Sequence, residues 1–172
     1  MISALLAVDG RGGMGYQGTL PWHFPEDLRH FKKLTMNNIV VMGRNTWNDP
    51  KFPKPLSGRT CYVVTNHPST LEVYARPLGG EDIVEQVLRI EKNNPEKNIF
   101  IIGGPSVIQS CLPILDNCYL THVSGSYKID VKIDLRSLLS GMVPVSCSAA
   151  PGSKVTFVKY ENIFKRTRTS TE

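Results

Sequence analysis

One acidic residue, Asp27, interrupts an apolar pattern in the stretch "LPWHFPEDLRHFKKLT". Pro25 is a favoured first residue of a helix. Phe24, Leu28 and Phe31 recur at three- and four-residue steps that mark one helical face. Asp27 belongs to that face, so its side chain is expected to project between apolar groups, towards whatever the face covers. Acidic first-turn residues also complement the helix dipole, so position alone leaves a functional and a structural carboxylate equally open.

Two strand-to-helix turns have residues suited to binding phosphate. In "IFIIGGPSV", Gly103 and Gly104 let the backbone approach a ligand closely, and Pro105 begins a helix whose N-terminus favours an anion. In "VVMGRNTW", Arg44 adds a planar cation that matches phosphate geometry. Such turns commonly need glycine for structural reasons alone, but their occurrence together with a Gly-rich loop favours a binding role.

That Gly-rich loop contains "GRGGMG" at residues 10–15, which has the GxGxxG spacing of dinucleotide-binding folds. We reject this interpretation because the fingerprint needs a helix that opens at the third glycine, whereas "YQGTLPW" follows and cannot start one. Residues 9–24 are predicted instead to form a long loop at the end of the first strand. We favour the interpretation that this loop is a mobile lid over the alternative that it is a connecting loop without a function.

The elements that position these residues alternate along the chain. Apolar runs rich in branched residues predict buried strands at "ISALLAV", "NIVVMG", "TCYVVT", "NIFIIGG" and "CYLTHVS". Helices are predicted at residues 25–35, 44–47, 81–92 and 105–111. The alternation predicts right-handed crossovers onto a largely parallel sheet covered on both faces. The alternating "KVTFVKYENIF" predicts a late antiparallel strand, and the Pro-rich "DPKFPKPLSG" predicts a long loop inside the domain.

Composition indicates one ordinary globular domain. The chain has 172 residues, of which 41% are hydrophobic and 20% charged, which suffices for a substantial core. The net charge of +5 suggests an anionic partner. Nucleic acid is not expected, because no basic stripe with aromatic platforms occurs, and a small anionic ligand fits at least as well. The domain is predicted to span residues 1–165, with a loose basic tail at 166–172.

Cysteine and histidine usage excludes several classes of site. The four cysteines show no CxxC spacing and the four histidines form no ligand cluster, so neither a metal site nor a disulfide scaffold is predicted. The apolar opening "ISALLAV" is too short for a signal peptide or a membrane span. A cytoplasmic location, with no membrane partner, is therefore the default expectation.

The chain closely resembles dihydrofolate reductase over nearly its whole length, in five motifs that occur in the same order: "AVDGRGGMGYQGTLPWHFPEDLRHFKKLT", "VVMGRNTW", "LSGRTCYVVT", "IIGGPSV" and "YLTHV". This resemblance implies an α/β fold in a single domain, with a mixed, mostly parallel eight-stranded sheet and four flanking helices. It also implies a monomer that uses NADPH to reduce 7,8-dihydrofolate to 5,6,7,8-tetrahydrofolate, by hydride transfer to C6 and protonation of N5.

The resemblance assigns the substrate site residue by residue. Asp27 matches the family's buried acid, which binds the 2-amino and N3 edge of the pterin ring, and Thr121 would orient it by a hydrogen bond. Tyr119 would tune this network weakly, and Arg59 would bind the glutamate carboxylate of the substrate. No side chain is expected to reach N5, so water admitted under the lid is the expected proton donor. The apolar walls would be Leu5, Leu6, Leu28, Phe31, Leu56 and Ile102.

The cofactor site follows from the same resemblance. Arg44, Thr65 and Asn66 would surround the 2′-phosphate, which implies NADPH rather than NADH. The backbones of Ala7 and Met14 would hold the nicotinamide carboxamide. A cis peptide is expected between the paired glycines of "IIGGPSV". The other cofactor-binding positions would be Gly15, Gly18, Leu20, Gly43, Asn45, Thr46, Gly103, Gly104, Pro105, Ser106, Val107 and Ile108.

Three departures from the family pattern stand out. Ile108 replaces the usual Tyr, the "NDPKFPKP" loop is longer than usual, and "SGSYKIDVKIDL" keeps Asp130 but little else of the segment that normally braces the lid. The last departure leaves lid closure, and with it turnover, open. Two alternative functions therefore stay in view: a reductase for a ribosylated pyrimidine or another pterin, and a pterin-binding protein without turnover.

Overall fold

The computed structural model describes residues 1–79 and 82–165. Its strands are β1 (Ile2–Asp9), β2 (Gly13–Gly15), β3 (Ile39–Gly43), β4 (Thr60–Val64), β5 (Ala75–Leu78), β6 (Ile99–Gly103), β7 (Asn117–Val123), β8 (Val131–Lys132), β9 (Met142–Ser148) and β10 (Val155–Asn162). Its α-helices are α1 (Pro25–Thr35), α2 (Arg44–Trp47), α3 (Ile83–Asn93), α4 (Pro105–Cys111) and α5 (Leu135–Leu138), and 3-10 turns lie at Pro68–Thr70 and Leu112–Ile114.

Eight of the strands form one sheet in the order β5-β4-β3-β6-β1-β7-β10-β9. Every pair from β5 to β7 is parallel, whereas β10 is antiparallel to both β7 and β9. The mixed, mostly parallel sheet and the late antiparallel strand predicted from the sequence are thus confirmed. Strands β2 and β8 form a separate antiparallel pair.

The sheet separates two apolar layers because successive side chains of a strand point to opposite faces. Ile39 and Val41 belong to the core cluster that α3 and α4 cover. Val40 and Met42 belong to the cluster that contains Trp47 of α2 and contacts Phe31 of α1. The face covered by α1 and α2 is called the α1 face below, and it carries the candidate site.

The elements that sequence patterns missed are short or lie at edges. Strands β5 and β9 end the sheet and contain Pro77 and Pro144, which interrupt a strand pattern. Helix α5 has four residues, too few for a periodic pattern, and brings the α-helices among the described residues to five rather than four. Helix α3 begins at Ile83, not at residue 81, because the Asp82 side chain caps it by accepting from the Glu85 amide.

The boundary at residue 165 stays a prediction, since the tail at 166–172 lies outside the described residues. No helix within residues 1–79 or 82–165 has the length and hydrophobicity that a bilayer crossing requires.

Candidate active site

Asp27 lies in the first turn of α1, partly buried against the sheet. The Thr121 hydroxyl on β7 donates a 2.8 Å hydrogen bond to Oδ1 of Asp27. Thr121 is buried, with Ala7 of β1 as its neighbour on one side and Phe157 of β10 on the other. A strand held on both sides therefore fixes the orientation of the carboxylate.

Burial raises the pKa of the Asp27 carboxyl above its ordinary value of 3.8, and the Thr121 hydrogen bond and the nearby His30 oppose that rise. His30 itself stacks on Phe157, with ring centroids 4.1 Å apart and planes 23° apart. Burial also lowers the pKa of His30, which the charge of Asp27 partly offsets. A partly desolvated carboxylate of this kind gains most from a ligand edge that supplies positive charge or donors.

The second acid of the first turn has a different environment. Glu26 accepts a 3.1 Å hydrogen bond at Oε1 from the Ser153 hydroxyl, which ties α1 to the chain segment before β10. Ser153 also accepts from the Val155 amide at 3.2 Å. Glu26 is thus held by Ser153 and not by Thr121, and the two acids need separate explanations.

The α1 face supplies an apolar lining around Asp27. Phe31, Leu56 and Ile102 belong to one cluster on this face. Leu28 is 42% exposed on α1 although it is apolar, as a wall residue of an open cleft would be. Leu5 lies on this face beside Tyr119, since its neighbours in β1 belong to the opposite cluster.

Leu6 is the exception among the expected wall residues. Its side chain belongs to the cluster under α3 and α4, on the far face of the sheet. The period of two along a strand cannot place both Leu5 and Leu6 on one face. The structure therefore does not bring the Leu6 side chain to the site, and only its backbone lies near.

Arg59 stands at the opposite end of α1 from Asp27. Its Nε donates to the Ser57 carbonyl at 3.1 Å and its Nη1 to the Thr35 hydroxyl at 3.3 Å. Its guanidinium carbon lies 6.0 Å from the centre of the Phe31 ring. Asp27 and Thr35 are separated by roughly 12 Å of helix at 1.5 Å per residue. An anion on α1 thus lies near one end of the helix and the Arg59 cation beside the other end, as a long ligand with a donor-rich head and an anionic tail requires.

Sequence reasoning did not nominate Trp22, although the "Leu-Pro-Trp" motif contains it. Its indole N–H is buried and has no hydrogen-bond partner among the described residues. The ring meets Tyr127 edge-on at 5.2 Å and packs in a cluster with Ala7 and Phe157. A buried donor without a partner, next to the neighbours of Thr121, is a candidate to bind a polar ligand atom.

Arg44 occupies the expected phosphate site at the start of α2. Its guanidinium donates to the Thr65 hydroxyl and the Thr70 carbonyl, both at 3.3 Å, and to the Asn48 side chain at 3.1 Å. None of these groups is a carboxylate, and Arg44 forms no ion pair within the described parts of the chain, so its charge is available to an anion. The exposed Asn66 follows Thr65 directly.

The paired glycines end β6, and the expected cis peptide between Gly103 and Gly104 is present. A Cβ built on Gly104 would meet no atom within 4 Å, whereas one on Gly43 would lie 3.2 Å from Cγ2 of Val107. Backbone is thus open to a ligand at Gly104 and tightly packed at Gly43. Thr46 and Met14 flank Gly103.

The remaining predicted cofactor positions divide into two groups. Val107 and Ile108 are buried in the core cluster under α4, so only their backbones lie at the site. Pro105 and Ser106 form the first turn of α4, and Asn45 is exposed on α2.

The loop of residues 9–24 is braced by the segment that departs from the family pattern. Strand β2 pairs with β8, the Asp130 amide donates to the Gly15 carbonyl at 2.9 Å, and Oδ2 of Asp130 accepts from the Gln17 amide at 2.9 Å. Gly18 and Leu20 lie beyond this contact and are exposed. The retained Asp130 therefore braces the loop although its neighbours have changed.

Tyr119 is on the α1 face two residues before Thr121, with the Lys159 ammonium 5.5 Å from its ring centre. Tyr119 forms no hydrogen bond with Asp27 among the described residues, so its weak tuning role stays a prediction. Across the described residues, no group of three His, Cys, Asp or Glu side chains could hold a metal ion.

Comparisons with known proteins agree with this geometry. The family model described as dihydrofolate reductase matches residues 1–136. Dihydrofolate reductase type 9 of Escherichia coli is 35% identical over 137 residues, which cover 78% of this chain and 76% of that protein. Dihydrofolate reductase of Mycobacterium leprae is 31% identical over 156 residues, which cover 86% of this chain and 92% of that protein.

A solved structure shares the whole architecture. Dihydrofolate reductase from Enterococcus faecalis, complexed with NADP(H) and RAB-propyl, has a TM-score of 0.79 and 26% identity, and the match covers 95% of this chain and 96% of that one. With the family model matching most of the chain, this protein belongs to the dihydrofolate reductase family.

Proposed function

We propose that this chain catalyses the NADPH-dependent reduction of 7,8-dihydrofolate to 5,6,7,8-tetrahydrofolate and so supports one-carbon metabolism and thymidylate synthesis. The observation that carries the proposal is the Asp27 carboxylate, held at 2.8 Å by Thr121 on an apolar sheet face, with Arg59 bound to Thr35 at the other end of α1. Membership of the family and the NADP(H) complex of the Enterococcus faecalis enzyme support it.

Asp27 binds and orients the substrate. Its carboxylate accepts hydrogen bonds from the 2-amino and N3 edge of the pterin ring. The negative charge of Asp27 and the positive or donor-rich edge of the ring stabilise each other. Thr121 fixes the carboxylate and Trp22 offers a further buried donor. Phe31 and Leu56 exclude water from the apolar middle of the ligand, and Arg59 binds the glutamate carboxylate.

The residues at the cofactor side fit NADPH. Arg44 has a charge without a carboxylate partner in the described chain, as a 2′-phosphate requires, and Gly104 has open space where a pyrophosphate would approach the backbone. NADPH supplies the hydride that C6 of the substrate accepts. The chain contributes orientation, because β1, β6 and β7 hold both half-sites on one rigid sheet.

The proton for N5 is assigned to water. Asp27 binds the edge of the ring remote from N5, so it acts on N5 electrostatically and raises the proton affinity of the ring. The loop of residues 9–24, braced by Asp130, controls the entry of that water.

The alternatives weaken on two observations. The loop braced by Asp130 favours turnover over a binding protein, and the placement of Asp27 and Arg59 at opposite ends of α1 suits a folate better than a ribosylated pyrimidine. The test is to follow NADPH consumption with dihydrofolate and then add an equimolar diaminopteridine antifolate. Turnover abolished by the antifolate supports the proposal, whereas tight antifolate binding without turnover refutes it in favour of a binding protein.

The monomeric state and the cytoplasmic location belong to the same proposal. The four cysteines are free in the structure, which suits a reducing compartment. Light scattering on purified protein would test the first expectation, and a protein mass of two chains would contradict it.

A further inference from the structure

A charged cluster holds the indole of Trp47 at the end of α2. The Trp47 side chain is 0% exposed, and its indole N–H donates to Oε2 of Glu72 at 2.7 Å. The Lys54 ammonium donates to Oε1 of Glu72 at 3.1 Å and to the Trp47 carbonyl at 3.2 Å. It also lies 4.7 Å from the centre of the Trp47 ring. Lys54, Glu72 and Trp47 therefore form one closed cluster, called the loop clamp below.

The loop clamp fastens the long loop of residues 48–56. Backbone hydrogen bonds inside this loop are local, such as Phe52 N to Asp49 O and Lys54 N to Phe52 O, both 2.9 Å. Residues 49–55 form one described hydrogen bond with a residue outside 46–54, which is the bond from Lys54 to Glu72. The ring of Phe52 adds an apolar contact, 5.9 Å from that of Trp47.

The clamp lies between the two halves of the site. Helix α2 starts at Arg44 on the cofactor side and ends at Trp47, and the loop then leads to Leu56 and Arg59 on the substrate side. The segment that carries Glu72 is also bound to Arg44, whose guanidinium donates to the Thr70 carbonyl at 3.3 Å. The segment with Thr70 and Glu72 thus anchors both ends of α2. Through Lys54, it also anchors the loop of residues 48–56.

The Glu72 carboxylate of the clamp stays ionised at neutral pH. Three hydrogen bonds lower the pKa of Glu72 to about 2. They come from the Trp47 indole, from the backbone of Glu72 itself and from Lys54. Protonation of Glu72 therefore does not break the contact with Lys54 near neutral pH, and the clamp holds the loop constantly rather than switching it.

We propose that Lys54 and Glu72 are positioning residues of the substrate site, which hold Leu56 and Arg59 in place for the aminobenzoyl and glutamate parts of the ligand. This inference rests on the proposed function. Neither residue touches the reacting atoms. Asp27, which binds the pterin, and Thr121, which orients Asp27, lie on α1 and β7 and not on the clamped loop. Loss of the clamp should accordingly weaken binding of the ligand's tail and leave the chemistry intact.

The test compares Lys54→Met and Glu72→Gln with two substrates. One is dihydrofolate, and the other is a 6-methyl-7,8-dihydropterin, which lacks the aminobenzoyl and glutamate groups. We expect each variant to raise KM for dihydrofolate about tenfold, the scale of a lost hydrogen bond to a charged group, with kcat within about twofold. KM for the short substrate should not change. Lys54→Arg, which keeps the charge and donors, should restore most of the affinity.

Lys51→Met is the matched control, because Lys51 is an exposed lysine of the same loop whose ammonium has no hydrogen bond or ion pair among the described residues. It separates the loss of a positive charge near an anionic substrate from the loss of the clamp. Equal KM changes for both substrates, or equal effects of Lys51→Met and Lys54→Met, would overturn the inference. A wild-type protein inactive with NADPH and dihydrofolate would instead overturn the proposed function. Should Lys54→Met fail to fold, Glu72→Gln carries the test, since Gln still accepts from the Trp47 indole.

Discussion

The hydroxyl of Thr121 offers the sharpest single test of how Asp27 works. Thr121→Val keeps the shape of a residue that is 1% exposed and removes one hydrogen bond of 2.8 Å to Asp27. A bond to a charged acceptor contributes about 1.5–3 kcal/mol, and 1.36 kcal/mol corresponds to about tenfold in rate. Because Asp27 is only partly buried, solvent replaces part of the lost bond, and the lower end applies. We expect kcat/KM for dihydrofolate to fall about tenfold at neutral pH.

The pH dependence gives the second readout. The Thr121 bond lowers the pKa of Asp27, so Thr121→Val raises it further. Affinity for a cationic diaminopteridine requires ionised Asp27 and falls as pH drops through this pKa; in the variant the fall should begin at a higher pH. Thr121→Ser keeps the hydroxyl and should behave like the wild type. Equal damage from Thr121→Ser and Thr121→Val would refute the reasoning, because it would assign the effect to the methyl group.

Three further variants lead to four predictions from the same geometry. Asp27→Asn should raise the thermal midpoint of the ligand-free protein at pH 7, because Asn removes a partly buried charge. A carboxyl with a raised pKa in the folded protein contributes its full stability below pH 3.8 and loses it as pH rises through the pKa of the folded protein, so the gain from Asn should vanish in acid. An unchanged midpoint would contradict the burial of the charge. The same variant should cut kcat/KM about 100-fold or more at neutral pH, and less in acid where the substrate is already protonated. Arg44→Gln should raise KM for NADPH about 10- to 100-fold and hardly affect NADH, and equal losses would show that the 2′-phosphate binds elsewhere. Gly104→Ala places a methyl group in open space at an ordinary φ of −74°, so the circular dichroism spectrum should be unchanged while KM for NADPH rises; an unaffected KM would place the pyrophosphate elsewhere.

Local patterns in the sequence were sufficient for the buried strands and for placing Asp27 on the apolar face of α1, because strand runs and helical spacing act over a few residues, whereas its role was assigned by the resemblance. Side chains alternate between the two faces of a strand, so this rule alone would have assigned Leu5 and Leu6 to opposite faces. The resemblance to a known family led to both being predicted as wall residues. Strands β2 and β8 have three and two residues, too few for any pattern, so the bracing of the loop was left open.

The ion pair between Lys54 and Glu72 could not be predicted for another reason. It joins residues 18 positions apart whose proximity depends on the fold, and side-chain pairing across such a separation leaves no local signal. The unpartnered indole of Trp22 likewise becomes visible only when its surroundings are known.

The family match stops at residue 136, but the sheet does not. Strand β10 supplies Phe157 beneath His30 and covers the free side of β7, where Thr121 lies. An expression fragment that ended at the matched segment would leave β7 as a bare sheet edge, with unpaired amides and carbonyls open to self-association. A shortened gene for production or library screening should therefore retain the hairpin of β9 and β10, because β10 pairs with β7, the strand whose Thr121 holds Asp27.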